Sequence, residues 1–197
     1  MRMIQVKTEA ERAAFAAKFA ERTSNPLSKG FLQQADAYGF VSKGEMVGGF
    51  LVNERQPYRY VAMIPEKGRG APSVRAHLSE GAALELACMW IDHGAVTEFQ
   101  RARIYYSAIR VAAFSGRRFI IAGSVSENVA SIHKLGFKRM VYRGPTTFDG
   151  APHGEIYAAR PVELLLWTPV ATVWNLATRF RRRRKSNSGG GARRSGA

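Results

Sequence analysis

Very little in this sequence speaks for chemistry on its own. There is one cysteine, Cys88, so no intramolecular disulfide can form and a reducing compartment is expected. Cys88 lies in the apolar run Leu86 to Ile91, where a thiol reads as a small buried hydrophobe rather than a nucleophile. The four histidines, His77, His93, His133 and His153, are scattered without paired carboxylates or cysteine spacing, which leaves no metal-ligand pattern. No run of about 18 uncharged apolar residues occurs. The nearest, Val162 to Phe180, contains Glu163, Pro169, Asn175 and Arg179, so a membrane-spanning helix is not expected. Met1 to Ala10 interleaves charged and apolar residues and lacks the apolar core of a secretory signal, which makes a cytoplasmic location the expectation.

Acids are scarce as well, 15 against 30 lysines and arginines, for a formal charge of +15. Eight of the cations, Arg179, Arg181 to Arg184, Lys185, Arg193 and Arg194, lie in the last 19 residues with no acid among them. The resulting field attracts phosphate-bearing or acidic partners without choosing among coenzyme A, anionic lipid, an acidic carrier protein and nucleic acid. What the chain does have is apolar residues, 46% of 197, enough for one domain with a substantial core.

Local signals order the chain. Met3 to Lys7 reads as a strand, and Thr8-Glu9-Ala10-Glu11 is a capping box opening a helix to about Arg22, with Phe15 and Phe19 one turn apart on its core face. Ala37 to Val41 and Met46 to Asn53 are strands joined by the tight turn Ser42-Lys43-Gly44-Glu45. Arg59 to Ile64 reads as a third meandering strand, and the charged, proline- and glycine-bearing Pro65 to Gly81 as a long surface loop. Leu84 to Ile91 has the continuous apolar pattern of a strand buried on both faces. Thr97 to Phe114 has helical period, with Ile104, Ala108, Val111 and Ser115 on one stripe and Arg103, Arg110 and Arg117 spaced by seven. Phe119 to Ala122 is strand-like, Ser124 to Glu127 reads as a second capping box for a short helix ending at Gly136, and Met140 to Arg143 and Ile156 to Arg160 close the sheet. The predicted fold is α+β: a mixed, mostly antiparallel sheet with helices on both faces. Residues 1–160 form the domain, 161–185 an amphipathic basic helix, and 186–197 a disordered Gly/Ser/Arg tail.

This element order, together with Asn128-Val129-Ala130-Ser131-Ile132-His133-Lys134-Leu135-Gly136-Phe137 before the next strand, resembles the GNAT superfamily of acyl-coenzyme A N-acyltransferases from roughly Met1 to Arg160. The resemblance implies an acyl thioester lying against the backbone of the central strand, here Leu84 to Ile91, with Met89, Trp90 and Ile91 contributing. It implies a pyrophosphate at the start of the following helix, near Ala95 to Gln100, where free N–H groups and the helix dipole favour anions. At that point the chain departs from the family, because Gln100-Arg101-Ala102-Arg103-Ile104-Tyr105 carries none of the usual glycines. The family's tyrosine acid is also missing from the short helix. Both departures resemble the acyl-homoserine-lactone and N-acyl amino acid synthase branch, whose members often take acyl groups from acyl carrier protein. Arg101, Arg103, Arg110 and Arg117 would then meet an acidic carrier helix. The co-substrate implied is acyl-coenzyme A or acyl carrier protein, with no permanently bound cofactor.

Acyl transfer to an amine needs a deprotonated amine, a polarised thioester carbonyl and a proton for the leaving thiolate. Glu85, the only carboxylate inside the central strand, is the candidate base, since desolvation would raise its pKa. His133 is the candidate acid. Gln100, Arg101 and Arg103 are candidates for the phosphates, and Asn128 and Ser131 for the pantetheine arm, against plain helix-start hydrogen bonding. Asp92 and His93 are possible substrate contacts. In the tail, Thr168-Pro169 caps a helix to about Arg183, whose tryptophans and terminal arginines suit either an anionic membrane surface or packing on the domain. Three functions stay open: an acyltransferase, a non-catalytic acyltransferase-like module held at a membrane or in a complex, and salt-sensitive nucleic-acid binding through the tail.

Overall fold

The computed structural model describes residues 1–167 except Glu80, Asp149 and Gly150, and leaves out the side chains of Glu127, Asn128, Ser131, Ile132 and Leu135. The expected helix from Pro169 to Arg183 and the basic tail lie outside the described residues. A seven-stranded sheet runs in the order β1-β2-β3-β4-β5-β7-β6. β1 (Arg2–Val6) pairs antiparallel with β2 (Asp36–Ser42). β2 turns through Lys43 and Gly44, both at positive φ, into β3 (Glu45–Asn53), as a tight turn of that composition requires. β4 (Ala83–Ile91) follows antiparallel, and β5 (Phe119–Ser124) is its parallel neighbour. β6 (Arg139–Pro145) and β7 (His153–Ala159) complete the sheet, with β7 inserted between β5 and β6.

Helices cover both faces. On one lie α1 (Glu9–Thr23), α2 (Lys29–Gln34), α3 (Arg59–Ala62), α4 (Glu66–Arg69) and α5 (Pro72–Leu78), and a core of Phe15, Phe19, Leu32, Tyr58, Val74 and Leu78 packs beneath them. On the other, α6 (Glu98–Ala113) and α7 (Glu127–Gly136) bury Ile104, Ala108, Ala112, Ala130 and Phe137. Burying a side chain the size of Phe15 contributes roughly 2 kcal/mol, so the two cores together fix the sheet between its layers. The Thr8 capping box is formed as expected, with reciprocal Thr8 and Glu11 bonds.

Three local expectations fail. Arg59 to Ile64 is not a strand: its N–H groups bond a carboxylate from β4, and the segment turns into α3. Pro65 to Gly81 is not a loop, because α4 and α5 occupy most of it and Val74 and Leu78, one turn apart, are buried. Ser124 and Glu127 make no capping box. Ser126 is the N-cap without a side-chain bond, while the Ser124 hydroxyl closes a turn onto Ser126. Among the described residues no helix is long and apolar enough to cross a membrane, and no three His, Cys, Asp or Glu side chains are placed to share a metal ion.

Candidate active site

The site begins with a defect in the sheet. β4 pairs with β5 only from Ala83 to Glu85, against Phe119 to Ile121. From Leu86 onward the two strands part, so the β5-facing edge of β4 is left without a strand partner. On the other edge the β3–β4 register slips between Gly49 and Leu51, and Cys88 takes a left-handed backbone, φ 53°. The bulge tilts the second half of β4 away from β5.

Tyr60 fills the apex of this wedge. Its hydroxyl donates to the Leu86 carbonyl at 3.2 Å, and its ring lies against Gly123 of β5, where an added Cβ would sit 2.7 Å from the ring. Burial, with Glu85 nearby, pushes the phenol pKa up. Below Tyr60, Glu85 is 0% exposed. Its carboxylate accepts the N–H of Tyr60 at 2.7 Å, the N–H of Arg59 at 2.9 Å and the Asn53 side chain at 3.3 Å. Desolvation outweighs these three bonds and raises its pKa to about 7. Glu85 therefore caps α3 from the central strand. It does not line the open space.

Beyond Tyr60 the wedge widens into a cavity of about 650 Å³, bounded by α1, α3, β4, β5, α6 and α7. One end is formed by Arg59, Met63, Phe19, Asn25 and Phe148, the other by His93, Glu98, Arg101, Ala102 and Tyr105. Met89 lines it, whereas Trp90 and Ile91 are buried and do not. Cys88 also lines it, but burial pushes its thiol up to about 12, so it stays protonated and inert. His133 lines the cavity from α7 with its ring 5.6 Å from Phe137 and 6.3 Å from Tyr157, centroid to centroid. Burial, opposed by Glu155, lowers its pKa to about 4, and its Nδ1 has no hydrogen-bond partner among the described residues. With its pKa lowered in this way the ring is neutral near pH 7. Asn128 and Ser131 lie on α7 with side chains outside the described residues.

The start of α6 is closed by its own capping box. Thr97 Oγ1 accepts the Gln100 N–H, and Gln100 Oε1 accepts the Thr97 N–H. The N–H groups of Gly94, Ala95 and Arg101 bond Asp92 Oδ1, the Asp92 carbonyl and the Thr97 carbonyl. Gln100 is thus consumed by a capping box and its side chain does not reach the cavity. Two acids flank the turn, Asp92 paired with Arg22 at 2.6 Å and Glu98 paired with Arg101 at 3.2 Å. α6 divides into three faces. Glu98, Arg101, Ala102, Tyr105 and Ile109 face the cavity, Ile104, Ala108 and Ala112 the core, and Phe99, Arg103, Tyr106, Arg110 and Phe114 the solvent. The expected basic set is split, since Arg101 turns inward and Arg117 pairs with Glu54 at 2.8 Å, beyond the other end of the helix.

No protein-family model matches the chain, and no curated protein matches its sequence. Solved structures do match its fold. The N-acyl amino acid synthase FeeM from uncultured soil microbes superposes with a TM-score of 0.62 at 15% identity, over 87% of this chain and 97% of that one. The chain has the GNAT fold. A CoA-dependent acyl-homoserine lactone synthase, MesI, gives 0.60 at 12% identity over 87% and 95% of the two chains. The ribosomal-protein-S18-alanine N-acetyltransferase of Escherichia coli gives 0.53 at 15% over 81% and 92%. Here the parting of β4 from β5 opens into the cavity of about 650 Å³.

Sequence reasoning missed Arg59, Tyr60 and Phe148. The first two were assigned to a strand, and no local pattern marks a helix whose cap comes from Glu85, about 25 residues away.

Proposed function

We propose that this chain is an N-acyltransferase that moves an acyl group from a thioester to an amine. The observation that carries the reading is the wedge itself: an edge of β4 from Leu86 onward without a strand partner among the described residues, opening into a cavity lined by residues of α3 and of the start of α6. An extended pantetheine arm complements such an edge, because its amides pair with free main-chain groups as an added strand would. The amine nitrogen attacks the thioester carbonyl, an N–C bond forms, the C–S bond breaks, and the nitrogen's proton leaves so that amide and thiol result. With Glu85 buried behind Tyr60 and His133 neutral, rate enhancement rests on orientation and on main-chain N–H groups polarising the carbonyl.

For the donor, the structure favours a thioester on acyl carrier protein over acyl-coenzyme A. The main-chain N–H groups of Gly94, Ala95, Thr97, Gln100 and Arg101 already have partners, and two carboxylates sit beside them. The outer face of α6 instead offers two arginines, Arg103 and Arg110, among exposed aromatics, Phe99 at 78% and Phe114 at 79% exposure. An acidic carrier helix would bury those rings and meet the cations. The test is thiol release from both donors with and without an amine, in wild type and in the Arg103→Glu/Arg110→Glu variant. Amine-dependent release from the carrier, lost in the variant, supports the reading. Release from neither donor would leave the chain a non-catalytic GNAT-fold module.

A further inference from the structure

We infer that this protein docks on an anionic membrane surface through the short helix at residues 161–167, which follows β7. Pro161 opens that helix, and Glu163 closes its start by accepting the Arg160 N–H at 2.8 Å. Its inner side is fixed. Leu164 is buried, lies so close to α7 that a Cβ on Gly136 would meet it at 3.1 Å, and lines the cavity. Leu165 packs on the same core. On the outer side Val162 and Leu166, four residues apart, are 57% and 68% exposed, and Trp167 beside them is 45% exposed. Lys138 stands over the Trp167 ring, 4.5 Å from its centroid. Glu163, the only acid from Arg160 to Ala197, is bound by Arg139 at 2.7 Å, while the same stretch holds Arg160 and the eight cations of the last 19 residues.

This surface matches the boundary between water and lipid in both its apolar and its charged parts. Val162 and Leu166 gain by leaving water for the acyl boundary. An indole with a cation on its face suits the headgroup layer, where the ring is buried and the charge stays wet. Past Trp167 the sequence adds Val170, Val173, Trp174 and Phe180, then Arg181 to Arg184 and Lys185, and each cation of such a run is drawn to anionic headgroups. Either signal alone holds a protein marginally, whereas an apolar face joined to a basic cluster holds it stably. A nucleic acid would use the cations but leave Val162 and Leu166 in water, so it matches less of the surface. One helix carries Leu164 toward the cavity and Val162 and Leu166 away from it, so docking sets the bilayer beside the cavity wall, whatever reaction the cavity serves.

The test is co-sedimentation of the full chain with vesicles of phosphatidylcholine, alone or mixed with phosphatidylglycerol. The wild type should partition onto the mixed vesicles and far less onto phosphatidylcholine alone. Val162→Ser/Leu166→Ser should weaken that partition by roughly tenfold or more. A variant with Arg181→Gln, Arg182→Gln, Arg183→Gln and Arg184→Gln should weaken it by about 100-fold, with circular dichroism checking the fold of both. In a Trp174→Phe background, where Trp90 is buried and Trp167 is the exposed indole, brominated lipid in the mixed vesicles should quench the emission. If the double serine variant fails to fold, that quenching decides alone. Serine-variant binding equal to wild type, or a Trp167 emission untouched by bound brominated vesicles, overturns the inference. So does equal binding to both kinds of vesicle. A wild type that binds neither overturns it too, and leaves the outer face to residues 168–197 or to a second copy of the chain.

Discussion

The two ends of the cavity handle charge in opposite ways. At the α3 end a cation, Arg59, is held in place by a buried carboxylate that bonds only its backbone, and its guanidinium is left without an ion pair among the described residues. At the α6 end the cations have ion partners, Arg22 with Asp92 and Arg101 with Glu98, and the helix start caps itself. Among the described residues, then, an arginine lining the cavity without an ion pair is found on α3 and not at the start of α6, where a diphosphate would be expected. The same net charge supports different chemistry depending on which arginines already have a partner.

The comparison breaks most visibly at Glu85. Glu85→Ala leaves the N–H groups of Arg59 and Tyr60 and the Asn53 amide unpaired in the interior, and should destabilise by about 3 kcal/mol. Calorimetry should show Tm falling by roughly 10 °C.

Two buried titrating groups, one on each side of the wedge, sharpen it next. Glu85 has its pKa raised from 4.5 to about 7, so the folded state binds more protons than the unfolded. The stability linked to it is full below pH 4.5 and is lost as pH rises toward 7. His133 has its pKa lowered from 6.5 to about 4, so the unfolded state binds more protons, and stability linked to it is present above pH 6.5 and is lost as pH falls toward 4. Each is of the order of 3 kcal/mol across its window, and over the shared range their slopes oppose. Denaturation of the wild type should vary little between pH 4.5 and 6.5. Glu85→Gln should make stability rise with pH there, and His133→Phe should make it fall; parallel profiles in both variants would contradict the assignment.

Thr97→Ala gives the smallest effect. Removing the cap should cost about 1 kcal/mol and return the Gln100 N–H to solvent at the helix start. Titration should then show acyl-coenzyme A binding a few-fold tighter, with carrier-borne donor unchanged.

Much of this fold was legible because its signals are local. The Thr8 box, the Lys43-Gly44 turn and the apolar run to Ile91 each act within a few residues. Val74 and Leu78, spaced by four after Pro72 at the head of α5, were an available helix signal beneath a loop-like composition. Thr97-x-x-Gln100 was likewise readable as a capping box, which forecloses a phosphate role for Gln100. The wedge was not legible: it depends on where β4 stops pairing with β5 and on Tyr60 meeting Gly123 across about 60 residues of chain. Glu85 stood out in the sequence as an acid inside the central strand, and it is buried, but its main-chain partners come from a segment read as strand and could not be foreseen.

The central claim is that the acyl thioester lies along the unpaired edge of β4. Hydrogen exchange of the full chain, with and without a non-hydrolysable acyl-pantetheine thioether, reads that edge directly. The account predicts slowed exchange in peptides spanning Leu86 to Ile91 and Ala122 to Ser124, with β1 and β2 unchanged; ligand binding that leaves β4 and β5 unprotected would contradict it.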